Sequence, residues 1–172
     1  MSGTEALDAL QKYLGLKNVS PVRAIFFNAQ RHPCLVDWRN ELICVQPNYI
    51  LARELESGGY KTARDGENFG LAFVQLTRQR EESLGLIALA ARSLAPDGVF
   101  VCFGSNEIGA AAFEKHFKNL LRSEIDSYSK FHARVFSGRK TKDLDEACLE
   151  EWVRAAEPAL NKDGYWSMPG LF

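Results

Sequence analysis

Two apolar runs of strand length, FGLAFVQL (69–76) and GVFVCFG (98–104), bracket a segment of helical periodicity. No other stretch limits the fold as strongly. In the intervening TRQREESLGLIALAARSLAPD, Leu84, Ile87, Ala91 and Leu94 recur at the spacing of one helix face. Thr77 is available as an N-cap, and Glu81 and Glu82 stand where the positive end of a helix dipole favours carboxylates. Pro96 and Gly98 stop the helix and turn the chain into the second strand. Both runs are apolar at nearly every position, as parallel strands covered on both faces require. A right-handed strand–helix–strand crossover of this kind is the centre of a doubly wound α/β sheet.

The remaining chain supplies further elements of the same architecture. Thr4 to Leu14 reads as an amphipathic helix ended by Gly15, and Val22 to Asn28 as a first strand. A loop around Pro33 follows, with a short strand expected at Cys34 to Val36, and then a strand over Glu41 to Gln46. Pro47 suits the first turn of a helix that runs to Ser57 and ends at Gly58-Gly59. Tyr60 to Arg64 reads as an edge strand. Beyond the central unit, Asn106 to Leu121 is helical, with Lys115, Lys118 and Arg122 on its outer face. Glu124 to Tyr128 and Phe131 to Ser137 form an antiparallel hairpin turning at Ser129-Lys130. A last helix begins at Asp143, with Glu146 completing a partial capping box and Leu144, Cys148, Trp152 and Ala155 as its stripe.

At 172 residues the chain suffices for one well-packed domain. A net charge of -1 carries no whole-chain signature of nucleic-acid binding, so any RNA contact must come from a local patch. Neither a signal-peptide pattern nor a membrane-length apolar stretch is present. Cys34, Cys44, Cys102 and Cys148 are widely spaced and form no CxxC pair. A reduced, cytoplasmic protein is the expectation.

The chemistry is sparser than the fold. LAPDGVFVCFG resembles the run LxPGGxhhhhG (h apolar) that class I S-adenosylmethionine-dependent methyltransferases carry into their fifth strand. Such enzymes approach their cofactor with a glycine-rich turn after the first strand. Here that place is FFNAQRHPCLVD, without a glycine. Amino-directed methyltransferases hold the target nitrogen in a polar-Pro-Pro-aromatic loop after the fourth strand, and here Leu76-Thr77-Arg78-Gln79 stands instead. His32, His116 and His132 lie in three different elements and read as structural histidines. Two basic clusters remain as candidate RNA contacts: Arg78 with Arg80, and Arg139, Lys140 and Lys142 in a later loop.

From Val22 onward the chain resembles the N-terminal half of bacterial 16S ribosomal RNA (guanine-N2)-methyltransferases of the small-subunit methyltransferase C type. The segments that carry the resemblance are LTRQREESLGLIALAARSLAPDGVFVCFGSNEIGA, SKFHARVFSGRK and DGYWSMPGLF. It implies a Rossmann-like class I methyltransferase fold: a seven-stranded, mostly parallel sheet of order 3-2-1-4-5-7-6, with a terminal antiparallel hairpin and helices on both faces. It implies two tandem domains in the whole protein, of which the first has lost its cofactor site. Residues 1–160 then form the degenerate domain, and 161–172 lead towards a catalytic domain absent from this chain.

On that footing no catalytic residue is assigned and no S-adenosylmethionine is expected on this chain, the cofactor belonging to the second domain. The expected partners are that domain and 16S rRNA or the small ribosomal subunit. The apolar tail, with Tyr165, Trp166, Met168, Leu171 and Phe172, is expected to fold back near Trp152 or to join two copies. The alternatives are a stand-alone methyltransferase with an atypical cofactor loop, and an interaction domain without RNA contact.

Overall fold

The computed structural model describes residues 2–160 and 162–167. Its sheet is built from β1 (Ala24–Phe27), β2 (Leu42–Val45), β3 (Lys61–Thr62), β4 (Phe69–Gln75), β5 (Leu94–Ser105), β6 (Asp126–Lys130) and β7 (Ala133–Arg139). The order is β3-β2-β1-β4-β5-β7-β6. β1 to β5 run parallel, whereas β7 is antiparallel to both β5 and β6. The expected seven-stranded architecture and strand order are those observed.

Among the described residues, five α-helices cover the sheet: α1 (Ser2–Leu16), α2 (Tyr49–Ser57), α3 (Arg80–Ser93), α4 (Ala110–Leu121) and α5 (Glu146–Ala156). Alternation along the strands divides the core in two. Ile25, Phe27, Ala72, Val74, Phe100 and Cys102 pack under α3, α4 and α5. Ala24, Phe26, Leu71, Phe73, Val101 and Phe103 pack under α1 and Leu55 of α2. This answers why the strands carry apolar residues at consecutive positions: each alternate side chain enters a different core.

Local departures from the sequence reading have local causes. Pro33–Trp38 forms a 3-10 helix rather than a strand at Cys34 to Val36. The His32 side chain caps it by accepting the Cys34 N–H at 3.2 Å. The hairpin turns at Phe131-His132, two residues later than expected, with φ of 54° and 55°. Both turn residues are left-handed, which matches the primed turns that suit the twist of paired strands. A two-residue slip keeps every side chain on its own face, so the core is unaffected.

α3 starts after Gln79, not at Thr77, and α5 is capped by Asp145, whose Oδ1 accepts the Cys148 N–H at 3.0 Å. Its buried residues are Leu149, Trp152 and Ala156. A short 3-10 turn, Asn106–Ile108, precedes α4, and Gly15 lies within α1.

The β3–β4 connection contains no helix, so one face of β2 is left partly open. Leu42 and Cys44 are buried, while Ile43 and Val45 are half-buried. A groove of about 510 Å³ lies there, lined by residues including Phe27, Val45, Pro47, Leu86 and Leu89. After α5, β8 (Ala159–Leu160) pairs antiparallel with β9 (Trp166–Ser167). Tyr165 is exposed, and the expectation for Met168, Leu171 and Phe172 lies outside the described residues.

Candidate functional site

The chain leaves β1 towards β2 on one side and reaches β5 from β4 on the other. A crevice therefore opens between the carboxyl ends of β1 and β4, where ligands lie in open α/β sheets. A cleft of about 450 Å³ occupies this position, lined by residues that include Asn28, Gln30, Gln75, Thr77, Arg78 and Ser105.

The turn at the end of β1 forms without glycine because Asn28 takes the left-handed conformation, φ 59°. Asparagine tolerates that region better than most residues. Side chains then lock the turn. Asn28 Nδ2 donates to the Gln75 carbonyl at 2.9 Å, and Gln46 Nε2 donates to the Ala29 carbonyl at 2.8 Å. The N–H groups of Asn28 and Ala29 both point at the Val45 carbonyl, at 2.9 and 3.3 Å. The next element, the six-residue 3-10 helix, has its first orphan N–H taken by His32, whose Nε2 lies 3.1 Å from Asp8 Oδ1 on α1. With Nδ1 accepting from Cys34, Nε2 carries the proton and donates to Asp8. Cys34 beside it is pushed up to about 12, first by burial and then by the Asp8 charge. It is an inert thiol at neutral pH.

The β4 exit is equally occupied with itself. The Thr77 N–H donates to Ser83 Oγ at 2.8 Å, and Ser83 Oγ returns a bond to the Thr77 carbonyl at 3.0 Å. The Thr77 hydroxyl donates to Glu82 at 2.8 Å. Burial raises the Glu82 carboxyl, and the Thr77 bond opposes that. Gln75 breaks the pattern: it is buried, it lines the cleft, and its Oε1 has no hydrogen-bond partner. A buried amide oxygen without a donor costs roughly 1–3 kcal/mol. The oxygen is closed off from solvent, so it offers the cleft no free acceptor.

The basic candidates divide between the two ends of the sheet. Arg78 and Arg80 are exposed at the cleft's rim and at the start of α3. Arg80 also acts on His116, which is lowered first by burial and then by the Arg80 and Lys115 charges. The His116 ring meets Trp152 edge-on at 6.4 Å. Arg139 and Lys140 lie at the opposite end, beside the start of β5. There Arg139 donates to the Asp97 carbonyl at 3.1 Å and Lys140 Nζ to the Leu94 carbonyl at 2.9 Å. Lys142 follows in the same exposed loop. His132 is exposed in the hairpin turn. Among the described residues, no group of three or more His, Cys, Asp or Glu could hold a metal, and no helix is long and apolar enough to cross a membrane.

Solved structures share this fold. The T. thermophilus 16S rRNA N2 G1207 methyltransferase (RsmC), in complex with AdoMet and guanosine, superposes with a TM-score of 0.63 at 19% identity. The match covers 80% of this chain and 39% of that one. The chain has the class I methyltransferase fold. The tRNA methyltransferase TrmI from Aquifex aeolicus matches with a TM-score of 0.60 at 12% identity, over 78% of this chain and 69% of that one. The N-methyltransferase NodS from Bradyrhizobium japonicum gives 0.54 at 13% identity, over 77% and 93%. No protein-family model and no curated protein sequence matches the chain. The chain spans about two fifths of the RsmC chain it matches.

These likenesses correct the cofactor expectation. The chain was expected to bind no S-adenosylmethionine, yet it has the fold of S-adenosylmethionine-dependent methyltransferases, one of them solved with the cofactor in place. The missing glycine, expected to bar a close approach of the backbone to a ligand, was a poor guide: Asn28 makes the turn with a φ of 59° and itself lines the cleft. The crevice stays open and is lined by polar side chains. Its amides and hydroxyls suit a ligand with hydrogen-bond donors, such as an adenosine moiety, which Asn28, Gln30, Gln75 and Ser105 would hold.

Gln75, Asn28 and Gln46 were not legible as site residues. Each is an unremarkable amide in sequence and acquires its role only when β1, β2 and β4 are laid side by side.

Proposed function

We propose that this chain is the RNA-positioning, methyltransferase-fold portion of a 16S rRNA (guanine-N2)-methyltransferase, with methyl transfer performed on a second domain. The β4 exit carries this reading. Where an amino-directed enzyme orients its target nitrogen, Thr77 spends its N–H, carbonyl and hydroxyl on Ser83 and Glu82. What it offers outward is charge: Arg78 and Arg80, exposed and in no ion pair among the described residues. Guanidinium groups at a crevice rim suit a phosphate backbone and carry no base specificity of their own.

A second reading is favoured by the open cleft at the switch point, with Asn28, Gln30 and Ser105 in its lining. If that cleft holds the cofactor, the chain is a small methyltransferase in its own right, and the bound group would then supply the methyl.

One assay separates the two. The chain is mixed with methyl-labelled S-adenosylmethionine and either naked 16S rRNA or small ribosomal subunits, and both RNA retention and transferred label are read. The expected result is retention without transfer, with affinity falling steeply as salt rises. Replacing Arg78 and Arg80 together by glutamate should abolish retention. Label transferred to RNA by the chain alone overturns the scaffold reading in favour of the second. Retention that is indifferent to both salt and the double substitution removes Arg78 and Arg80 from the RNA surface.

A further inference from the structure

The sheet ends in β3 on one side and β6 on the other, and the two edges are finished differently. β3 offers two residues, and its Thr62 hydroxyl is tied to Glu56 Oε1 at 2.8 Å. β6 offers five, and Ser127, Ser129 and Lys130 are exposed along it. A row of unpaired main-chain groups of that length is a template for another strand.

The ladder shows which groups face outward. Asp97 N–H donates to the Lys140 carbonyl, Lys140 N–H to the Gly98 carbonyl and Asn106 N–H to the His132 carbonyl, each at 2.8 Å. His132 and Lys140 thus address β5. Bonding alternates along an antiparallel strand, so Ala133, Val135 and Ser137 address β6 instead. Their partners there are Lys130, Tyr128 and Asp126. The N–H and C=O groups of Ser127 and Ser129 therefore point away from the sheet, and no main-chain group bonds them among the described residues. The Lys17 bond holds the Asp126 carboxyl low, and the Ser127 N–H adds a little to that.

The segment along this edge is chemically complementary to itself. About Tyr128, Ser127 mirrors Ser129, Asp126 mirrors Lys130, and Ile125 mirrors Phe131. Antiparallel pairing centred on Tyr128 sets each residue opposite its mirror, so opposite charges meet at both ends. Lys130 is in no ion pair among the described residues. Lys17 and Tyr13 both approach Asp126 through Oδ2, which leaves Oδ1 for a further cation. The half-buried Ile125 and the exposed Phe131 flank the charged pairs. The same register sets Ser127 against Ser129 of the other copy, where their outward N–H and C=O groups satisfy one another.

We infer that β6 docks on the β6 of a second copy of this chain, antiparallel about Tyr128, and joins two sheets into one.

Sedimentation velocity over a wide concentration range, into the millimolar, tests this. The expected result is a reversible monomer–dimer equilibrium, with hydrogen exchange at the Ser127 and Ser129 amides slowing as dimer fills. Ser129→Pro removes an outward donor where an edge strand tolerates proline, and it should abolish the dimer. Lys130→Asp, an exposed change, sets like charges against each other and should weaken association about tenfold. Asp126→Lys should do the same. An equimolar mixture of these two charge variants should recover the dimer, because a heterodimer restores both pairs with their signs exchanged. A chain that stays monomeric at every concentration overturns the proposal. So does a dimer that Ser129→Pro and Lys130→Asp leave intact, since its contact lies elsewhere. Charge variants that associate no better together than apart overturn the register about Tyr128.

Discussion

The two halves of the sheet are built to different standards. On the β4–β5 side, a 14-residue helix crosses between the strands and buries Leu84, Ile87, Ala88, Ala90 and Ala91. On the β1–β2 side the crossover is a six-residue 3-10 helix, and β3 joins β4 with no helix at all. The first half holds itself together by apolar area. The second adds polar ties to its buried apolar residues: His32 to Asp8, Asn28 to Gln75, Gln46 to Ala29. Directional bonds fix a turn accurately while contributing modest net stability, about 0.5–1.5 kcal/mol each. The candidate cleft adjoins the half that carries these ties. Directional bonds there place its lining accurately.

The largest expected effect tests that division directly. Ile87 and Leu35 are equally buried, at 0% exposure. Ile87→Ala should cost about 2–5 kcal/mol, the range for truncations in a core that cannot collapse. Leu35→Ala should fall at the lower end of that range, because a single 3-10 turn can settle into the space. Equal midpoint shifts in urea, at unchanged slope, would break the comparison. Hydrogen exchange sharpens it. Amides of Cys34 to Trp38 and of Lys61 and Thr62 should exchange through local opening, and those of β4, α3 and β5 only through opening of most of the domain. A single common opening free energy would mean that the halves are one cooperative unit.

α1 spans the division and permits a finer test. At one end Asp8 holds His32, and at the other Tyr13 donates to Asp126 at 3.0 Å beside Ser137. The Lys17 ammonium, 2.7 Å from Asp126, holds that carboxyl below the usual carboxylate range, helped by the Tyr13 bond. A depressed native value adds stability above the unfolded value of about 3.9, and that stability is lost as pH falls through the native value. Asp126→Asn should therefore flatten the acid limb of stability below about pH 4 and leave the neutral plateau slightly lowered. An unchanged acid limb would show that the exposed pair contributes nothing, as many surface pairs do.

How much of this was legible depends on which forces wrote it. The β4–α3–β5 unit was readable because burial on two faces leaves long apolar runs; its boundary was placed too late, since α3 ends at Ser93 and Pro96 and Gly98 lie inside β5. The 3-10 helix was misread because Leu35 and Val36 suggest a strand, and six residues carry no usable period. The hairpin slipped by two because Phe131 and His132 adopt positive φ without the glycine or asparagine that would announce it. Arg78 and Arg80 stood out by charge. Gln75 did not, since nothing in FVQLT distinguishes an orphaned amide from one paired across the sheet.

The smallest expected effect has an unusual sign and concerns that same residue. Gln75 sits at the border of the two halves, on β4 but facing the cleft beyond β1. Its carbonyl accepts from Asn28, and a backbone bond survives any side-chain change. Gln75→Leu is close in volume and removes the unpaired Oε1, so the penalty of a buried, unsatisfied acceptor disappears. The substitution should raise stability by up to about 1 kcal/mol rather than lower it. If the amide serves a ligand, the same variant should lose any rise in melting temperature that S-adenosylmethionine gives the native chain, since a ligand stabilises only in proportion to its occupancy. Stabilisation with loss of the ligand response marks Gln75 as a residue kept for binding at the expense of stability. A clear loss of stability would instead show that the amide already has a partner in the folded protein, and that the cleft is a structural joint between the two halves.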